Sequence, residues 1–125
     1  FSGRRLELKK AMSAIVDYEL FLGKNLYGGL KDKKGLKIYG ITDPAQFAFR
    51  CPTFSFTLEG YTSAQICRFM NENNIFVWNG EEGFGAYDLV KILNLTKYGG
   101  LLRVSLEHYN TIEEINSFLE VLEKL

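Results

Sequence analysis

The sequence predicts an α+β fold: a two-layer sandwich of about four strands, largely antiparallel, with helices on one face. Three observations point there. Apolar stripes at three- and four-residue spacing alternate along the chain with short runs of period two. The clearest of those runs, PTFSFTLEG at 52–60, sends Phe54, Phe56 and Leu58 one way and Thr53, Ser55, Thr57 and Glu59 the other. The element order reads α-β-β-α-β-α-β-α. A sheet that is apolar on one face only is antiparallel or mixed rather than fully parallel.

Residues 4–30 place Leu8, Met12, Ile15, Leu22 and Leu26 on one stripe of a long helix, with Asp17 and Glu19 facing away. Gly28 and Gly29 signal its end, and Lys31, Lys33 and Lys34 follow. In GLKIYG, 35–40, Leu36 and Ile38 alternate with Lys37 and Tyr39, as in a short strand. Asp43-Pro44 marks a turn. After the 52–60 strand, Thr62 or Ser63 caps a helix over 63–72 that buries Ile66, Met70, Cys67 and Phe69. IFVWN, 75–79, reads as a third strand, and 80–85, GEEGFG, as an acidic glycine-rich loop. A helix over 86–96 is expected to bury Leu89, Leu93, and either Ile92 or Val90. Gly99-Gly100 turns the chain into LLRVSLEHY, where Leu102, Val104 and Leu106 share one face and Leu101, Arg103 and Ser105 the other. Thr111 and Glu114 form a capping-box pattern ahead of a last helix with Ile112, Ile115, Leu119 and Leu122 inward. The uncovered sheet face would then carry Thr53, Ser55, Thr57, Arg103 and Ser105, a polar surface on which something else can dock.

Composition narrows the function. With 125 residues the chain is long enough for one domain that buries about two-thirds of its unfolded surface. Fifteen basic and fifteen acidic residues cancel, which removes the electrostatic case for a nucleic acid or an anionic membrane as partner. No apolar run approaches the ~20 residues that span a bilayer. No basic segment followed by an apolar one marks a secretory signal. Two cysteines do not make a disulfide scaffold, so a reducing, cytoplasmic setting is expected. The chain opens on Phe1 without a methionine, and a helical pattern begins within a few residues. The expectation is a piece of something longer.

Candidate chemistry is sparse. His108 is the lone histidine and has no evident nucleophile partner; a turn-shaping role suits it better. Cys51 and Cys67 lack metal-site spacing. Cys67 reads as a small core residue, whereas Cys51, between Arg50 and Pro52, has a neighbouring cation that could favour its thiolate. Glu81 and Glu82 lack the P-loop pattern and would repel phosphate. They could do acid–base work or be solvated loop charges, in a loop that Gly80, Gly83 and Gly85 make mobile. Arg103 stands out as a cation in an otherwise apolar strand. A guanidinium there either forks onto a carboxylate ligand or closes a structural salt bridge.

Several segments resemble a known family. LLRVSLEHYNTIEEINSFLEVLEKL is similar to the C-terminal end of class V aminotransferase-like enzymes, the cysteine desulfurase and selenocysteine lyase group. There a strand with R-x-S-L leads to Y-N-T, then E-E-hydrophobic and a final helix. The matching residues are Arg103, Ser105, Leu106, Tyr109, Asn110, Thr111, Glu113, Glu114 and Ile115. RCPTFSFTLEG resembles the R-x-P-T-F-S-F strand of the desulfurase-like branch. NNIFVWNG resembles the strand before the active-site loop, and Ile15, Tyr18 and Glu19 match an I-x-x-Y-E pattern in the opening helix.

The resemblance implies the small C-terminal domain of a fold type I pyridoxal-phosphate enzyme, residues 1–125. The large domain, with its cofactor-binding lysine and pyridinium-pairing aspartate, would lie outside this chain. The parent would be a homodimer acting on a small amino-acid substrate. In such enzymes the strand arginine grips the substrate carboxylate, a role that falls on Arg103. The segment that carries the sulfur-accepting cysteine in desulfurases corresponds to Asn79, Gly80, Glu81, Glu82, Gly83, Phe84 and Gly85, and none of these is a cysteine. No catalytic residue, metal or bound cofactor is expected in the chain itself. The function so implied is one wall of a desulfurase-like active site. The alternatives are a pyridoxal-phosphate lyase or transferase without persulfide chemistry, and a stand-alone α+β binding or interaction module.

Overall fold

Eight helices and strands follow one another as α1 (Gly3–Asp32), β1 (Leu36–Tyr39), β2 (Thr53–Leu58), α2 (Ser63–Glu72), β3 (Trp78–Gly80), α3 (Tyr87–Ile92), β4 (Leu101–Ser105) and α4 (Ile112–Leu122). Short 3-10 turns lie at Pro44–Phe49 and Thr96–Tyr98. The computed structural model describes residues 2–80 and 87–125, Tyr87 by its backbone alone. The four strands form one sheet in the order β1-β2-β4-β3, and all three pairings are antiparallel.

The expected strand phase is the observed one. Phe54, Phe56 and Leu58 of β2 point to the same side as Leu102 and Val104 of β4, and all are buried. Against them pack Leu22, Leu26 and Leu30 of α1, Ile66 and Met70 of α2, and Ile115, Phe118 and Leu122 of α4. Both capping boxes form. Thr62 and Gln65 close the start of α2, and Thr111 and Glu114 that of α4. The Ser63 hydroxyl, buried at the start of α2, lies 2.7 Å from Asn79 Oδ1 and 2.8 Å from the Gly99 carbonyl, which ties α2 to β3 and to the turn before β4.

The first helix departs from expectation. Its stripe is buried only in its C-terminal half; Leu8 and Met12 are 55% and 58% exposed. Length is the reason. Thirty residues of α1 run about 45 Å, whereas a six-residue strand such as β2 spans about 20 Å. Nor do Gly28 and Gly29 end the helix, which continues to Asp32. Gly29 serves close packing instead: a Cβ there would sit 2.4 Å from Leu119 Cδ1 of α4. Glu19 does not face away either. It is only partly exposed, and it approaches His108.

Three further differences concern the sheet's second face, opposite the three main helices. Part of it is covered by a small second core, in which Val90 of α3, Leu95 and Leu101 are buried with Tyr39 and Tyr98 against them. Of the two alternatives expected inward, Val90 is the buried one and Ile92 is exposed; Leu89 and Leu93, also expected inward, are exposed, and Leu95 is buried instead, because α3 runs for only six residues, too few to lay a full helical face on the sheet. Thr57 is 4% exposed rather than on an open surface, with its hydroxyl 3.5 Å from that of Tyr39. Strand β3 starts at Trp78, not Ile75, because the Ile75 N–H bonds the Met70 carbonyl at 2.9 Å to finish α2.

Between β1 and β2 the chain is held by Arg50. Its guanidinium donates to the carbonyls of Ile41, Thr53 and Cys51 and lies 3.8 Å from the Phe54 ring centroid. Burial lowers its pKa below the ordinary guanidinium value, opposed by the nearby Cys51. Asp43, expected to mark a turn, caps the 3-10 turn through the Ala45 N–H at 2.9 Å. Among the described residues no helix is long and apolar enough to cross a membrane.

Two predictions follow from this packing. Phe56 is fully buried between the sheet and its helices. Phe56→Ala should cost about 3–5 kcal/mol in denaturant unfolding of the chain, and a loss under about 1 kcal/mol would mean the side chain is not in the core. The second concerns Glu114, whose carboxylate accepts from the Asn110 side chain and the Thr111 N–H, both of which lower its pKa. The unfolded chain thus binds this proton more readily. The stabilisation is present above the unfolded carboxylate pKa and is lost as pH falls through the folded one. Glu114→Gln keeps an acceptor but removes the titration, so its stability should fall less than that of the parent chain between about pH 6 and about pH 3.

Candidate functional site

Strand β4 must turn Arg103 outward, because Leu102 and Val104 on either side of it are in the core. The residue is exposed on the second face of the sheet. Across the ladder its neighbours are Ser55 of β2 and Trp78 of β3. Two pairs further along, on the same face, Thr53 Oγ1 donates to Ser105 Oγ at 3.1 Å. The guanidinium carbon lies 5.7 Å from the centroid of the Trp78 ring. Among the described residues the ion pairs join Lys10 to Glu7, Lys33 to Glu123 and His108 to Glu19, and no carboxylate comes within 4 Å of Arg103. Beside it opens a cavity of about 170 Å³ lined by Ser55, Trp78, Gly80, Leu89, Val90 and Leu101. The arrangement offers a forked cation next to hydroxyls at the mouth of a mainly apolar recess, a chemistry suited to a carboxylate with a small apolar tail.

The structure brings only some of the sequence candidates to this place. Gly80 belongs to β3, and a Cβ on it would sit 2.7 Å from the Leu101 carbonyl, so glycine is needed there for strand pairing. Asn79 turns to the opposite face, towards Ser63. Glu81, Glu82, Gly83, Phe84 and Gly85 lie outside the described residues. Both cysteines are elsewhere. Cys51 opens onto a 420 Å³ cavity between α1 and the 3-10 turn before β2, and Cys67 Sγ lies 3.5 Å from the Val77 carbonyl. His108 Nδ1 is 3.9 Å from Glu19 Oε1, and these two with Glu107 bring their ligand atoms within 4.8 Å of one another. Close by, Tyr18 donates to the Asn110 carbonyl at 2.9 Å, so this group fastens α1 to the turn before α4. Trp78 is the site residue that pattern reading passed over. Its signal was that the chain's single tryptophan stands in the strand just ahead of the glycine-rich segment.

Comparison with known proteins identifies the framework. The family model for aminotransferase class-V matches residues 5–118. The chain belongs to the aminotransferase class-V family. An aminotransferase-like protein, FGM3, from Gibberella zeae is 33% identical over 115 residues, covering 92% of this chain and 28% of that protein. A probable cysteine desulfurase from Pseudomonas putida is 31% identical over 111 residues, 89% of this chain and 25% of that one. Among solved structures, an apo cysteine desulfurase from Thermococcus onnurineus superposes with a TM-score of 0.74 at 22% identity, covering 96% of this chain and 28% of that one. A NifS-like protein from Rickettsia africae gives 0.70 at 22% identity, covering 92% and 30%. The class-V chain thus has the fold of one part of such enzymes and spans 25–30% of the length of these four proteins.

Class-V enzymes depend on pyridoxal phosphate, but among the described residues no lysine is placed to hold it covalently. Covalent attachment needs a lysine amine inside an enclosed cleft. Every lysine here is exposed except Lys33, whose amine sits 3.6 Å from Glu123. Incubating this class-V chain with pyridoxal phosphate and borohydride should therefore label no single lysine. Stoichiometric labelling at one site, read by peptide mass spectrometry, would overturn that expectation.

Proposed function

We propose that the chain is the C-terminal small domain of a longer pyridoxal-phosphate enzyme of the cysteine desulfurase type. In that reading it forms one wall of the active site, and Arg103 binds the carboxylate of a small amino-acid substrate. The observation that carries it is Arg103 itself: a guanidinium turned out of the core by its strand phase, with no carboxylate within 4 Å among the described residues, beside a small recess. Exposed apolar side chains support a missing partner domain. Leu8, Met12, Val16 and Phe21 are exposed along α1, as are Phe76, Trp78, Leu89 and Ile92 in and around β3 and α3.

The cofactor supplies an electron sink for bonds at the substrate's α-carbon, and in this reading the remainder of the protein holds it. The contribution of this chain is orientation. Two parallel hydrogen bonds from one guanidinium fix both the position and the plane of a carboxylate, which a lysine ammonium cannot do. Leu89, Val90 and Leu101 give the recess an apolar lining.

A second reading is favoured by where the thiols lie. Desulfuration ends with a substrate sulfur on an enzyme thiolate, yet Cys51 and Cys67 are on elements away from Arg103. A lyase or transferase of the same family without a persulfide fits that arrangement.

In the complete protein, Arg103→Lys should lower kcat/KM about tenfold or more, roughly 1.4 kcal/mol, with the thermal midpoint nearly unchanged. An unchanged kcat/KM would remove the clamp role. In the same preparation, mass spectrometry after incubation with L-cysteine separates the two readings. A persulfide adduct supports the desulfurase, and turnover without one supports the lyase or transferase.

A further inference from the structure

The geometry points to Trp78 as a positioning residue for Arg103: the indole holds the guanidinium at the mouth of the recess while leaving its hydrogen-bonding edges open. This rests on the reading of Arg103 as a carboxylate clamp and adds what makes the clamp selective.

An arginine on an exposed sheet face is long and flexible. It is poorly placed for forked binding unless something limits its rotamers. The usual restraint, an acidic partner, would occupy the same N–H groups that a ligand needs. An aromatic ring restrains it differently. The ring attracts the cation through its π-face within about 6 Å, and the N–H donors in the guanidinium plane stay available. Here the guanidinium carbon is 5.7 Å from the Trp78 centroid. The two residues are direct cross-strand partners in the β3–β4 ladder, where side chains stand about 5 Å apart at their Cβ atoms. On the other flank the partner is Ser55, too short to compete for the guanidinium. The arginine is therefore guided towards β3, and Trp78 and Arg103 both line the same 170 Å³ recess. Trp78 is itself 47% exposed, so its ring also forms a wall for the ligand's apolar part. The ligand class so selected is a small α-amino acid whose carboxylate meets the fork and whose short apolar side chain lies against the indole.

The test uses the complete, cofactor-loaded protein and two probes, L-alanine and ethylamine, which differ by the carboxylate alone. Calorimetric titration gives the ratio of their affinities, a readout that general loss of stability does not move. Trp78→Leu should lower that ratio about fivefold, and Trp78→Phe by less than about twofold, because a smaller ring still attracts the cation. Trp78→Glu should lower it at least as far as Arg103→Lys does, because the new carboxylate closes the fork. If Trp78→Leu does not fold, the contrast between the Phe and Glu variants decides on the same ratio. A ratio unchanged in Trp78→Leu and Trp78→Glu, while Arg103→Lys lowers it, overturns the positioning role and leaves the clamp standing. Equal weakening of both probes in Trp78→Leu overturns it too. A ratio unchanged in Arg103→Lys removes the clamp, and this inference with it.

Discussion

Burial of Phe54 and Phe56 against Leu102 and Val104 locks the β2–β4 pair into one register, and the rest of the sheet inherits it. A slip of one residue would send every apolar side chain of that pair into solvent. The aromatic rings make such a slip costly, since each contributes a large buried surface. With the pair locked, β1 adds on one side through Ile38 opposite Phe56, and β3 on the other through Asn79 opposite Leu102. The outward position of Arg103 is a consequence of that inward lock and not of any contact of its own.

Two arginines near β2 show how environment assigns roles to one side chain. Arg50 has its donors on three backbone carbonyls and its face against Phe54, which makes it a brace for the chain entering the sheet. Arg103 also meets an aromatic ring, but its donors are not drawn into any ion pair among the described residues. The half-buried cation is satisfied by dipoles because partial burial without them would be costly. The exposed one needs no such compensation and can meet a ligand.

The two faces of the sheet are unequal for a related reason. Three helices give the first face a continuous core, whereas among the described residues α3 and the following turn give the second face only a small cluster. The gap beside α3 is where the recess forms. Helix α1 is unequal along its length as well. Its C-terminal half is pressed onto α4 at Gly29 and Leu119. Further towards its start, Tyr18 and Glu19 meet the turn before α4, and beyond them Leu8, Met12 and Val16 are exposed.

Much of this was legible in the chain itself. The period-two runs of β2 and β4 determined which side chains are inside, because alternation on a pleated strand is fixed by backbone geometry alone. The T-x-x-Q and T-x-x-E patterns determined where α2 and α4 begin, because a capping box is closed within four residues. Placing Arg103 outward needed nothing more than that alternation. What tertiary structure decided involves partners distant in sequence. How much of α1 is buried depends on how far the sheet extends beneath it. Gly29 sits inside a helix because Leu119, ninety residues later in the chain, needs the space. Val90 rather than Ile92 became core, and Leu95 rather than Leu89 and Leu93, because α3 is too short to lay a full helical face on the sheet. The meeting of Trp78 with Arg103 is set by the β3–β4 register, and a strand of three residues carries too little periodicity to announce its register in advance.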